Sequence, residues 1–366
     1  MAKAPRRVAL VGVGLIGGSV GLALRRAGSV VCGYDHDAVR VERARELGVL
    51  DESAESVAQA VKGADLVVVA VPVGQVAAVV VEALDAGAGL VTDVGSVKRP
   101  VLAAVERSRP DLAPRFVGGH PMAGSEQEGL DGASADLFIG ATWVLTPTDQ
   151  TDPDAFAAVR ALVVELGAET LAVAPEVHDA LVAVVSHVPH LAASTLMNVA
   201  NADGEQHAAL LRLAAGGFRD MTRIAASHPG IWPDICIANR DAIVAALDGY
   251  LTALQGVRSM VATGDRTALH DEFVRARAAR RNLPVGLPAD AKLVELRVPV
   301  LDRPGALAEV TTLASGLGVN IVDLEIAHSS EGRSGVLVVV VPGDGADVFE
   351  AALTGQGYHV ARMALS

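Results

Sequence analysis

Five short stretches of the chain hold residue types at spacings that chemistry requires. Gly12-x-Gly14-x-x-Gly17 directly follows an apolar run and opens a helix pattern. The first glycine permits a tight turn and the second lets the backbone approach a pyrophosphate. The third lets helix and strand pack closely, and the helix N-terminus attracts the phosphate charge. Asp35 ends VCGYD, at the distance where an acid accepts hydrogen bonds from the adenosine ribose hydroxyls. A carboxylate there repels a 2′-phosphate, which favours NAD over NADP. Leu15 and Ile16 inside the turn, with Val71 and Pro72 closing DLVVVAVP, complete the set expected to touch the dinucleotide. A plain glycine turn beside a surface aspartate is the alternative, and the combination of strand, helix and acid disfavours it.

The other four stretches suit a substrate. Asp93-Val94-Gly95-Ser96-Val97-Lys98 follows a fourth strand-like run, at the carboxyl end where open α/β sheets bind ligands. Ser96 is placed to hydrogen-bond substrate or nicotinamide, or to cap a helix, and Lys98 to hold charge near the cofactor. His120 lies in GHPMAGSE, where flanking glycines let a ligand approach. A near-neutral imidazole there takes or shares a hydroxyl proton as hydride leaves the same carbon. Ser186-His187-Val188-Pro189-His190 puts two histidines on one helix face. No third or fourth ligand stands near them, so no metal is expected; anion or substrate recognition fits better, with a buried structural role equally open for His187. Arg223, in GGFRDMTRIA, needs an anionic partner in an otherwise apolar helical region. Asp220 or Asp234 could supply it internally, or a dicarboxylate substrate could accept a bidentate pair.

The elements that must position these residues alternate. RVALVGV, VVCGYD, DLVVVAVP and GLVTDVGS read as strands, separated by helical patterns, with RFVGGHP and ATWVLTP as further candidates. Such alternation means a doubly wound parallel sheet of the Rossmann type, an α/β fold. The polar run TPTDQTDPD is expected to end it, giving a dinucleotide-binding domain over residues 1–150. Residues 151–281 then form an all-helical domain, 282–292 a proline-rich linker and 293–366 a small β-α-β-β-α-β unit, a ferredoxin-like order. DALVAVVSHVPHLAASTLMNVA is apolar nearly all round, and in a soluble protein such a helix is covered by another subunit, so a homodimer through the helical domain is expected.

Composition narrows the function further. A net charge of −13 argues against a nucleic-acid partner, and Arg275, Arg277, Arg280 and Arg281 read as the solvated end of a helix. Cys32 and Cys236 stand far apart with no metal-ligand spacing, as buried small residues in a reducing compartment would. The apolar start after Arg6-Arg7 is broken by glycines, so it reads as a nucleotide-binding strand and not a signal peptide. The chain is expected to be soluble and cytoplasmic, without a membrane span.

With these residues in hand, residues 6–280 resemble the prephenate/arogenate dehydrogenase family. GxGxxGGS, DVGSVK, GHPMAGSE, SHVPH and GGFRDMTRIAxSxPxxWxDI carry the resemblance, in that order. It implies an NAD-dependent enzyme of tyrosine biosynthesis that converts prephenate to 4-hydroxyphenylpyruvate by oxidative decarboxylation. His120 would assist deprotonation of the ring hydroxyl, Arg223 would bind a substrate carboxylate, and Ser96, Ser125, Glu126, His187 and His190 would line the pocket. Asp220 and Trp232 would organise it, Trp232 from its own chain or from the partner subunit. The C-terminal unit resembles an ACT domain, with Asp302, Pro304 and Gly305 at its first turn and Asn320 at its second strand. That resemblance implies an aromatic amino acid effector, tyrosine first, against a purely structural domain. Three rivals stand beside this reading. They are an arogenate dehydrogenase of the same mechanism, a β-hydroxyacid dehydrogenase, and a non-catalytic NAD and amino-acid sensor. Residues 155–280 contain no lysine, which speaks against the second.

Overall fold

Apolar runs between glycine turns fold as the expected parallel sheet. The structure, a computed structural model, describes residues 6–124, 127, 129–206, 216–227, 229–281, 293–301, 303–328 and 334–365. Two compact units divide the chain, Met1–Ala253 and Leu254–Ser366. The first begins with β1 (Arg7–Val11), α1 (Leu15–Arg26), β2 (Val30–Tyr34), α2 (Ala38–Glu46), β3 (Glu52–Ser53), α3 (Val57–Val61) and β4 (Leu66–Val69). It continues with α4 (Val73–Asp85), β5 (Val91–Asp93), α5 (Arg99–Ser108), β6 (Phe116–Pro121), β7 (Thr142–Thr146), α6 (Pro153–Glu165) and β8 (Glu169–Ala172).

The sheet order is β3-β2-β1-β4-β5-β6-β7-β8. The order reverses between β1 and β4, which opens the crevice where ligands of such sheets bind. All pairings are parallel except β6 with β7. Separate apolar clusters fill the two faces, one built around Leu10, Leu24 and Trp143, the other around Val69, Val80 and Phe116. This double coverage is why the strands read as unbroken apolar runs.

The sheet continues past the polar run at residues 146–154. Asp152 caps α6 by accepting from Asp154 N and Ala155 N at 2.7 and 3.3 Å, and the chain then returns to lay β8 parallel to β7. The sheet therefore runs to Ala172. β8 is a short, mostly exposed edge strand, so it lacks the apolar run that announced the others.

From Pro175 the first unit is helical, with α7 (Pro175–Val182), a π-turn (Ala183–His187), α8 (Val188–Gln206), α9 (Gly216–Thr222), α10 (Trp232–Ala238) and the start of α11 (Arg240–Thr263); the end of α11 and α12 (Arg266–Arg281) belong to the second unit. The stretch Pro175–Ala202 is apolar and long enough to cross a membrane by length and composition. It also carries buried His178, Asp179, His187 and His190, the make-up of a site-forming helix. Large apolar side chains on these helices face outward, among them Val184, Val185, Val199, Leu251, Val261 and Phe273. Arg275, Arg277 and Arg280 are exposed on α12, and Arg275 pairs with Glu272. Cys32 is buried and Cys236 half-buried, both free thiols.

The C-terminal strands form an antiparallel sheet, built from β9 (Leu293–Leu301), α13 (Ala306–Gly316), β10 (Asp323–His328), β11 (Ser334–Pro342), α14 (Gly343–Gly355) and β12 (Ala361–Leu365). Its order is β10-β11-β9-β12. Leu296, Val298, Val310, Val339 and Phe349 make its core. Gly305 precedes α13 with φ +92°, a conformation that favours glycine. Pro304 and Asn320 are exposed, whereas Asp302 and the linker 282–292 lie outside the described residues.

Candidate functional site

The glycine turn forms a cradle at the switch point. Gly12 has φ +95°, and a Cβ there would lie 2.4 Å from the Ala70 carbonyl oxygen and 3.2 Å from Val71. A Cβ on Gly17 would lie 2.1 Å from the Gly12 carbonyl oxygen, so helix and strand meet through these two residues. Gly14 has nothing within 4 Å, which leaves open space in front of the α1 N-terminus. Leu15 and Ile16 begin that helix, and Val71 and Pro72 follow β4 on the opposite wall. The Asp35 carboxylate accepts from Val13 N at 2.9 Å and Asp37 N at 3.0 Å, so it braces the turn. His36 Nδ1 stands 3.0 Å and Arg40 Nη1 3.5 Å from it. An ionised carboxylate has about four acceptor sites, enough for this bracing and a ribose hydroxyl. The cradle fits a dinucleotide. Gly17→Ala is expected to weaken NAD binding by about tenfold or more and to lower the melting temperature, because the new methyl meets backbone. Calorimetric titration and a thermal melt check both.

His120, on β6, reaches a partner that its own sequence neighbourhood does not reveal. Its Nδ1 lies 2.9 Å from His178 Nε2, and His178 Nδ1 lies 2.8 Å from Asp179 Oδ1. The buried carboxylate accepts the hydrogen bond of His178 Nδ1–H, which leaves His178 Nε2 as acceptor. His120 must then donate from Nδ1, and its Nε2 keeps a free lone pair. Asp179 also accepts from the backbone N–H of Lys98 and Arg99, both at 2.8 Å, so it caps α5. Ser96, half-buried in the preceding turn, is not the cap. Lys98 does not face the cofactor either: its ammonium is buried against Asp93. Burial first, then the nearby charge of Lys98, with His178 and His187 acting in the same direction, holds the His120 imidazole well below its ordinary range. It is neutral at pH 7 and able to accept a proton.

The π-turn and α8 bring the other histidines beside Trp232. The Trp232 indole stacks on His190 of the same chain, with centroids 3.4 Å apart and planes within 10°. It meets His187 edge-on at 6.2 Å. Its Nε1 is buried with no acceptor among the described residues. Asn239 Nδ2 donates to the Asp179 carbonyl at 2.9 Å and stands 3.2 Å from His187 Nδ1. His187 is thus tied into the scaffold, and His190 is the one placed beside the aromatic wall. Arg223 opens a 3₁₀ turn (Arg223–Ala226) that packs against α8, and both Arg223 and Asp220 are exposed. Ser125 and Glu126 lie outside the described residues.

Burial chiefly pushes His187 down to about 4, with Asp179 opposing and His178 adding to the shift. Burial lowers His190 as well. An unfolded histidine titrates near 6.5. These folded values are depressed, so the stability they carry is complete above about pH 6.5 and is lost as pH falls towards about 4. Thermal melts are expected to be flat from pH 8 to 7 and to fall steadily below 6.5. The loss grows by up to about 1.4 kcal/mol per pH unit for each such histidine. A melting temperature unchanged down to pH 5 would contradict this.

His178, Asp179 and Asn239 were not singled out from the sequence. Each is an ordinary polar residue on a helix, and only packing gives it a role. The one available signal was position: HD in PEVHDALV lies on an otherwise apolar helix, where polar side chains need partners.

Residues 20–172 match the prephenate dehydrogenase nucleotide-binding domain, and residues 174–275 match the prephenate dehydrogenase dimerization domain. A prephenate dehydrogenase of Bacillus subtilis is 34% identical over 346 residues, covering 92% of each chain. The crystal structure of prephenate dehydrogenase from A. aeolicus in complex with hydroxyphenyl propionate and NAD+ is similar with a TM-score of 0.70 and 31% identity. That similarity covers 76% of this chain and 98% of the other. An arogenate dehydrogenase from Synechocystis follows with a TM-score of 0.67 and 29% identity, covering 75% and 98%.

Proposed function

The chain belongs to the prephenate dehydrogenase family, and from that premise we propose that it converts prephenate to 4-hydroxyphenylpyruvate and carbon dioxide with NAD as the oxidant. The observation that carries the chemistry is the contact chain Asp179–His178–His120, which assigns the lone pair to His120 Nε2. NAD, when bound in the cradle of Gly12, Gly14, Gly17 and Asp35, supplies the hydride acceptor. His120 takes the proton of the ring hydroxyl as the carbinol carbon loses its hydride, which leaves a carbonyl. The ring carboxylate then departs as carbon dioxide, and its bonding electrons make the ring aromatic. The phenolic oxygen recovers the proton from His120, so atoms and charge balance. His178 and Asp179 hold the imidazole in the accepting tautomer and spread the charge it gains.

Arg223 binds a carboxylate of the substrate, with Asp220 setting the turn. Ser96, Ser125, Glu126 and His190 line the pocket. The Trp232 N–H beside His190, without an acceptor among the described residues, supports an acceptor oxygen of the substrate at that wall. The exposed valines and leucines of α8 and α11 support a homodimer through the helices, in keeping with the matched dimerization domain. The cytoplasm is the compartment that suits two free thiols and a nicotinamide reaction.

Residues 293–366 act as an ACT domain of ferredoxin-like β-α-β-β-α-β fold that binds tyrosine and inhibits. The element order and the glycine turn at Gly305 support this reading. Calorimetry with tyrosine, phenylalanine and tryptophan is expected to give saturable binding of tyrosine. No heat from any of the three would leave the unit a structural one.

The decisive experiment is NADH formation by the purified chain with NAD, comparing prephenate with arogenate. Turnover of prephenate supports the proposal. Turnover of arogenate alone, which the similarity to the Synechocystis enzyme keeps open, preserves the mechanism and changes the substrate. No turnover of either by a folded protein that binds NAD would leave a sensor.

A further inference from the structure

Lys98 and Asp93 form an ion pair in which both side chains are fully shielded from solvent. Charges this deep cost several kcal/mol each to desolvate, and apolar residues of similar size often serve stability as well. The pair's other contacts point to a task at the site. Lys98 Nζ donates to the Gly119 carbonyl at 2.7 Å. Asp93 accepts the Gly119 N–H at 3.0 Å and the Gly95 N–H at 2.9 Å. Both backbone groups of the residue before His120 are thus held by this pair, as is the N–H of the residue before Ser96. Gly119 has no room to shift, since a Cβ there would lie 2.6 Å from the Asp93 carbonyl oxygen and 2.9 Å from Trp143 Nε1. The Lys98 N–H is in turn held by Asp179, the carboxylate that ends the histidine chain.

We propose that Lys98 is a positioning residue for the reaction: with Asp93 it locks the His120 backbone through both backbone groups of Gly119, and so sets where the imidazole stands at the site. The proposal rests on the reading of His120 as the proton acceptor. Charged and titratable groups face His120 from three elements: Lys98 from the turn after β5, His178 with Asp179 from α7, and His187 from the π-turn. After burial, Lys98 is the largest influence on His120 among these groups. Burial pushes the Lys98 ammonium below its ordinary range, and the Asp93 carboxylate in contact with it opposes that shift.

The test uses the full chain labelled with ¹⁵N-histidine, with the His120 signal assigned by its absence in His120→Asn. Wild type is compared with Lys98→Met and with the double variant Lys98→Met/Asp93→Asn. The double variant removes both buried charges and leaves an acceptor for the Gly119 N–H, so it avoids the unpaired buried Asp93 of the single variant and tests the proposal where that one does not fold. The His120 titration midpoint is expected to rise by about one unit. The acid limb of kcat/KM for NADH formation should rise with it, while KM for NAD stays near its wild-type value. A folded variant whose midpoint and acid limb both stay in place would overturn the proposal and leave Lys98 as packing only. The two readings separate cleanly. Full turnover by His120→Asn would remove the proton-acceptor role, whereas the imidazole titration reports the effect of Lys98 whatever His120 does.

Discussion

Replacing His120 with Asn is expected to lower kcat for NADH formation by about a hundredfold or more, with NAD affinity unchanged. Asparagine keeps the size and a hydrogen bond to substrate, yet it cannot take a proton. The oxidation would then release a hydroxyl proton into a site without an acceptor. His120 lies on β6, away from the glycine cradle on β1 and α1, so cofactor binding is a separate event. Steady-state kinetics with prephenate and a calorimetric titration with NAD check both halves. A fall of less than about threefold would mean that water or another group accepts the proton. His178→Asn should produce a smaller loss in kcat with little change in KM, because it removes the group that fixes the His120 tautomer and leaves the acceptor in place.

The second large effect is expected in binding. Arg223→Gln should lower kcat/KM for prephenate by about a hundredfold, mostly through KM. A guanidinium–carboxylate pair is charge-assisted and bidentate, and truncating one side of a desolvated pair typically costs about 2–5 kcal/mol. Arg223 sits exposed on a short turn packed against α8, outside the apolar core, so the melting temperature should hold. An unchanged KM in a folded variant would move the substrate carboxylate to another cation. Among the described residues the neighbouring Arg219, exposed on α9, would be the next to test.

Much of the sheet was legible in the residues because its physics is local. β1, β2, β4 and β5 are mostly apolar runs of three to five residues, buried along nearly their whole length. The glycine turn announces itself through steric need: Gly12 and Gly17 occupy places where a methyl would strike backbone. Asp35 follows from its position at the end of β2. β8 escaped because an edge strand with a polar, exposed sequence has no such signature. The cap of α5 escaped for a different reason. Serine is a common helix cap, so Ser96 was the natural candidate, but the N–H groups of Lys98 and Arg99 are satisfied by Asp179, some 80 positions away.

The amino-acid sequence by itself determined the parallel sheet, the dinucleotide cradle, the helical region and the identity of His120 and Arg223 as chemical candidates. Each of these depends on residue type and short spacing, which survive in a linear reading. Only the tertiary structure decided how His120 is made a base. His178 and Asp179 come from α7, Asp93 from the end of β5, Lys98 from the turn before α5, and Asn239 from the C-terminal end of α10. It also placed Trp232 on His190 within one chain. Tautomers, buried charges and stacked rings are set by groups brought together from distant segments in a site that excludes water. Hydrogen bonds and Coulomb interactions there act over a few ångströms, whatever the separation along the chain.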